Sequence, residues 1–148
     1  MSVTFIGCAH TGNSVDYALG EMSQQELFTQ YKGFSTSYQE FEITPKQGEQ
    51  VKQWPAELKI DVYFGTWCHD SQREVPRLLK ILQANNQVDV LLIGLNYQKA
   101  EAQGRAQAAK VKYTPTFVVS LDGKEIGRII ERPENSLVDD ISAMLGNI

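Results

Sequence analysis

The chain has 148 residues, 42% of them hydrophobic, and a net charge of −4 spread over 14 basic and 18 acidic side chains. That length suits one domain with a core able to fold alone, and the interspersed charges offer no basic track for nucleic acid. Two cysteines, Cys8 and Cys68, are too few for a disulfide framework, and no stretch approaches the ~20 apolar residues of a membrane span.

In chain order, residues 9–22 are rich in Gly, Asn, Ser and Thr without a period and read as a flexible lead-in. Ser23-Gln24-Gln25-Glu26 is a capping box that opens a helix over about 24–32, with Leu27, Phe28 and Tyr31 on one face. Phe34, Tyr38 and Phe41 continue the aromatic series, to pack against the main sheet or to line a ligand groove. Thr44-Pro45-Lys46-Gln47 opens a second helix to about Trp54. From there strand and helix alternate. Residues 58–65 predict a strand, 68–84 a helix, and 88–95 a second strand, apolar on both faces and so central and parallel. An Ala- and Gln-rich segment at 99–110 predicts a helix kinked near Gly104. Residues 116–121 and 125–131 predict a hairpin turning at Asp122-Gly123, and Ser136 caps a last helix with Leu137, Ile141, Met144 or Leu145, and Ile148 inward. The order β-α-β-α-β-β-α predicts an α/β fold with a mixed sheet of about four strands and helices on both faces.

The chemistry concentrates at one junction. The run Leu58-Lys59-Ile60-Asp61-Val62-Tyr63-Phe64 ends in Gly65-Thr66, then Trp67, then Cys68 where the next helix starts. A thiol there faces free backbone N–H groups and the positive end of the helix dipole, which favour a nucleophilic thiolate. The competing reading, a small buried hydrophobe, suits that junction less well. His69, when protonated, favours the thiolate; Asp70 supports the helix dipole but repels a thiolate.

These residues resemble the thioredoxin superfamily. Trp67 before Cys68, a helix beginning at the cysteine, and Pro76 inside that helix match the first landmark of the family; Tyr113-Thr114-Pro115-Thr116-Phe117 matches the second, a cis-proline opening a strand. The resemblance spans roughly residues 50–148. It implies a thioredoxin-like domain at 46–148, with residues 1–45 as an N-terminal extension packing on it.

Two departures stand out. The second cysteine of a dithiol site is Ser71, which sits one helical turn from Cys68, able to donate a hydrogen bond to its sulfur but not to close a disulfide. The buried aspartate expected six residues before the nucleophile is Val62, while Asp61 points to the opposite face. The resemblance therefore implies a monothiol oxidoreductase: Cys68 forms a mixed disulfide with a protein or small thiol, and an external thiol such as glutathione, or a distant cysteine such as Cys8, resolves it. Thr114 and Pro115 would present backbone to a substrate strand, and Trp67, His69 and Asp70 would border it. The alternative is a redox-inactive binding module, chaperone or adaptor that keeps the Trp67–Pro115 groove. A thiol peroxidase fits less well, because the Thr-x-x-Cys pattern is absent.

No cofactor is implied. A metal site from Cys8, His10, Cys68 and His69 lacks zinc-ligand spacing, and no HExxH, GxGxxG or P-loop is present. Residues 1–7 lack the basic and apolar regions of a signal peptide, so the chain as written reads as cytoplasmic. Phe5-Ile6-Gly7-Cys8-Ala9 resembles the cleavage box of bacterial lipoproteins, and the alternative is a cell-envelope protein lipid-anchored at Cys8.

Overall fold

The computed structural model describes residues 16–147. Its centre is the strand β2 (Leu58–Phe64), which runs parallel to β3 (Asp89–Gly94) and antiparallel to β4 (Thr116–Leu121). β4 turns at Asp122-Gly123, both with positive φ (51° and 79°), into the antiparallel β5 (Lys124–Ile130). An Asp-Gly pair makes this two-residue turn because both positions need a left-handed backbone.

A fifth strand corrects the expectation of four. β1 (Gly20–Met22) lies antiparallel to β3, with Gly20 opposite Gly94 and Met22 opposite Leu92, so the sheet order is β1-β3-β2-β4-β5. Three residues are too short to carry a readable period, which is why this stretch looked like featureless lead-in.

The N-terminal helices also differ from expectation. The Ser23–Glu26 capping box forms as expected, but α1 (Gln24–Gln30) ends at Tyr31, whose backbone leaves the helical region (φ −126°, ψ 84°). A separate helix, α2 (Lys32–Glu40), follows, and Phe34, Tyr38 and Phe41 belong to it and to its end. Phe34 is buried against Phe64 (ring centroids 5.9 Å apart), and Phe28 packs on Tyr38 at 4.9 Å. These aromatics therefore pack into the core beneath the sheet. α3 (Pro45–Lys52) starts from the Thr44–Gln47 capping box.

α4 (His69–Ile81) leads from the end of β2 back along the sheet and tightens into a 3₁₀ turn at Leu82–Ala84. Its inner side, Val75, Leu78, Leu79 and Ile81, is buried. α6 (Leu137–Gly146) is capped by Ser136, whose hydroxyl accepts from Asp139 N–H, and buries Leu137, Val138 and Ile141.

Strand alternation divides the core. Ile60, Val62 and Phe64 face α4 and the N-terminal helices, and Tyr63 faces a smaller cluster with Ile93, Leu95, Ala106 and Val118. The segment covering that second face contains only one helical turn, α5 (Arg105–Ala108), in place of the helix expected over 99–110. Gly104 precedes it with a left-handed φ of 70°, and the buried Glu101 carboxylate accepts from the N–H groups of Gln103, Arg105 and Ala106, which fixes a loop where helix propensity alone favoured a longer helix.

Candidate functional site

β2 delivers its carboxyl end to the surface, and Gly65-Thr66-Trp67 turns the chain into α4. Cys68 N–H donates to Gly65 O at 3.0 Å, and Gln72 N–H donates to Cys68 O at 3.0 Å, so Cys68 is the N-cap residue of α4 with an extended backbone (φ −96°, ψ 125°). Its thiol is free and half-buried. The N-cap position leaves its side chain beside the unpaired N–H groups of the first turn.

The second half of the site comes from the approach to β4. The Thr114–Pro115 peptide bond is cis, and both residues are buried. The Cys68 Sγ donates to Thr114 O at 3.3 Å, bringing together two segments 46 residues apart. Thr116 Oγ1 donates to Tyr113 O (2.7 Å) and Glu131 N–H to Pro115 O (2.7 Å), which braces this segment from either side.

Trp67 is fixed by its own polar edge. Its Nε1–H donates to Leu95 O at 2.9 Å, and the ring lies over Gly65, where an added Cβ would fall 2.5 Å from Trp67 Cε2. Only a glycine admits the indole at this distance.

Ser71 is fully buried one turn into α4, and its hydroxyl accepts from Gly65 N–H at 3.1 Å. The hydrogen bond that it makes thus ties α4 to the nucleophile's own turn, while the sulfur's bond goes to Thr114 O. His69 is exposed at the start of α4, and Asp70 is paired with Arg73 at 2.8 Å, which partly neutralises its charge beside the thiol. Val62 is buried in the main core. Asp61 lies on the opposite face, 3.5 Å from Lys59 Nζ.

Cys68, Ser71, Trp67, Thr114 and Pro115 therefore converge, with His69 and Asp70 at the rim. Sequence reasoning missed Tyr97, Lys99 and Tyr17. The Tyr97 ring stands 5.1 Å from that of Trp67, Lys99 Nζ lies 5.6 Å from the Trp67 ring, and Tyr17 meets Tyr97 edge-on at 5.1 Å. Nothing in local spacing marks them, because they reach Trp67 from other segments. Among the described residues no three His, Cys, Asp or Glu side chains are placed to hold a metal ion, and Cys8 and His10 lie outside those residues.

A model of the thioredoxin family matches residues 14–140. The chain belongs to the thioredoxin family. The match takes in residues 14–45, which the sequence resemblance had set aside. The chain is 30% identical over 101 residues to thioredoxin AMT13 of Alternaria alternata, covering 68% of this chain and 82% of that one. It is 32% identical over 95 residues to mitochondrial thioredoxin-3 of Saccharomyces cerevisiae, covering 64% and 65% of the two chains. A solved structure of a Pseudomonas aeruginosa protein of unknown function shares the fold, with a TM-score of 0.63 at 16% identity over 78% of this chain and 83% of that one. The thioredoxin family and fold support redox chemistry on thiol or disulfide substrates. Among the described residues no helix is long and apolar enough to cross a membrane.

Proposed function

We propose that this thioredoxin-family protein is a monothiol thiol–disulfide oxidoreductase with Cys68 as its one nucleophile. The observation that supports this reading is the pairing of a half-buried Cys68 thiol, held against Thr114 O, with a fully buried Ser71 in the place of a resolving thiol.

In the proposed cycle the Cys68 thiolate attacks one sulfur of a substrate disulfide. That S–S bond breaks, a mixed disulfide forms on Cys68, and the other substrate sulfur leaves as a thiolate that takes a proton from solvent. An external thiol such as glutathione then attacks the Cys68 sulfur and releases the second substrate thiol. A second equivalent frees Cys68 and leaves as the oxidised disulfide. Ser71 contributes by positioning the Gly65 turn rather than by exchanging. Trp67, Thr114 and Pro115 border the sulfur and present an apolar and backbone surface to the incoming chain.

The test is mass spectrometry of the reduced Cys8→Ser protein after exposure to oxidised glutathione. One glutathione adduct, absent in a Cys8→Ser, Cys68→Ser double variant and removed by added reduced glutathione, is the expected result. A folded protein that forms no adduct, or one that a thiol does not reverse, would sink the reading and leave a binding surface without turnover.

A further inference from the structure

Next to Trp67, a tight turn carries a cation, Lys99, that no ion pair among the described residues uses. Beyond β3, Asn96 N–H donates to Ala100 O (3.0 Å), Lys99 N–H to Asn96 O (2.9 Å), and Ala100 N–H to Asn96 Oδ1 (2.9 Å). The turn holds Lys99 at a positive φ of 60°, uncommon for a long side chain and maintained only where surrounding bonds enforce it. Its effect is to set two side chains on the Trp67 ring: Tyr97 at 5.1 Å and the Lys99 ammonium at 5.6 Å. Tyr97 is 55% exposed, so the aromatic surface that starts at Trp67 continues outward to solvent.

Asp70 is matched by Arg73 at 2.8 Å, whereas Lys99 has no ion-pair partner among the described residues. On the Pro115 side, Lys112 stands three residues before the cis-proline in the chain, and Glu131 N–H donates to Pro115 O. Lys99 is the cation that the fold sets against the Trp67 ring.

Building on the monothiol reading, we propose that Lys99 and Tyr97 are the specificity-determining residues of this site. They select disulfides whose sulfur-bearing half carries a nearby carboxylate, as glutathione does, over neutral or cationic ones. An ammonium that lies over the ring of Trp67, the residue next to Cys68 in the chain, and has no ion pair among the described residues raises the local concentration of an anionic disulfide, and the exposed Tyr97 ring covers the planar amides of a peptide. The chemical step is unchanged: the Cys68 thiolate forms a new S–S bond to one half of the disulfide, and the other half leaves as a thiolate.

The experiment measures the rate of adduct formation on Cys68 in the Cys8→Ser background with three probes: oxidised glutathione (anionic), bis(2-hydroxyethyl) disulfide (neutral) and cystamine (cationic). Lys99→Ala is expected to slow the glutathione reaction roughly threefold and Lys99→Glu roughly tenfold, the range for an exposed charge pair. Lys99→Arg keeps the unsubstituted rate. The neutral probe stays within about twofold in every variant, cystamine accelerates in Lys99→Glu, and about 0.5 M salt erases the differences. Equal changes with all three probes, or an unchanged glutathione rate in Lys99→Glu, overturn the assignment while leaving the monothiol reading intact. No adduct with any probe on the unsubstituted site removes the monothiol reading, and the specificity assignment falls with it.

Discussion

Ser71 and Gly65 show how single atoms shape this site. Ser71 is fully buried, and its hydroxyl takes the N–H of the buried Gly65 at 3.1 Å. Ser71→Ala leaves that N–H without a partner, at a cost of about 1–3 kcal/mol in a urea titration. Ser71→Cys tests the chemistry instead. A thiol one helical turn from Cys68 restores the spacing of a dithiol site, so the oxidised variant is expected to close an internal disulfide, lose two hydrogens by mass, and release a bound thiol without external help. Failure to lose that mass under oxidation would show that this position does not approach the sulfur. Gly65 serves Trp67 in the same way: Gly65→Ala puts a Cβ 2.5 Å from the indole, which must leave its bond to Leu95 O. The expected result is a loss of about 1–3 kcal/mol with a red shift of Trp67 emission, read against the buried Trp54 in a Trp54→Phe background. A folded variant with unshifted emission would mean that the indole is held elsewhere.

At the scale of elements, the short β1 joins the lead of the chain to the site. Ala18 N–H donates to Thr66 Oγ1 at 3.2 Å, one residue before Trp67, and β1 then pairs with β3. Gly94 allows this approach, because a Cβ there would sit 2.7 Å from Ala18 O, a backbone atom that cannot rotate aside. Gly94→Ala is therefore expected to detach β1, with fast amide exchange at residues 20–22, retained protection in β2, and about 1–3 kcal/mol lost. Continued protection at 20–22 would refute this account of the edge. The same elements mark what the sequence made legible. The β2–α4 junction with Cys68, and the 113–117 segment with Thr114 and Pro115, could be read because each rests on contiguous residues with strong periodicity or turn chemistry. β1 could not, since its pairing is with a strand some 70 residues on and three residues carry no pattern. The 99–110 helix was overestimated because Ala and Gln propensities are local, whereas Glu101 and the left-handed Gly104 impose a loop. Tyr97 and Lys99 were invisible for a related reason: their contact with Trp67 exists only once β2 and β3 lie side by side.

Across the whole molecule, the two faces of the sheet are held by different means. The face under α4 and the N-terminal helices is held by large apolar side chains, among them Phe34, Phe64 and Phe117, each fully buried and worth about 1.5–3 kcal/mol. The other face carries a small apolar cluster and depends on Glu101. This buried carboxylate gathers the N–H groups of Gln103, Arg105 and Ala106, lies 3.7 Å from Arg105 Nε, and through Arg105 reaches Glu21 of β1 at 3.0 Å. It thereby anchors the loop that carries Tyr97 and Lys99 toward the site. Burial pushes the Glu101 carboxyl up, but the three backbone N–H donors and Arg105 together outweigh it and hold the group below the usual carboxylate range. Because the folded form binds this proton less readily than the unfolded chain, the contribution is complete above the unfolded value, about 4.3. It is lost as pH falls through the lowered folded value. Glu101→Gln keeps the shape but removes the charge, so about 2 kcal/mol is expected to disappear at neutral pH, the worth of hydrogen bonds to an ionised group. In urea titrations across pH the variant and the unsubstituted protein should converge only in acid, as Glu101 itself becomes protonated in the native state. A gap of the same size at every pH would show that the side chain acts through its shape and not its charge.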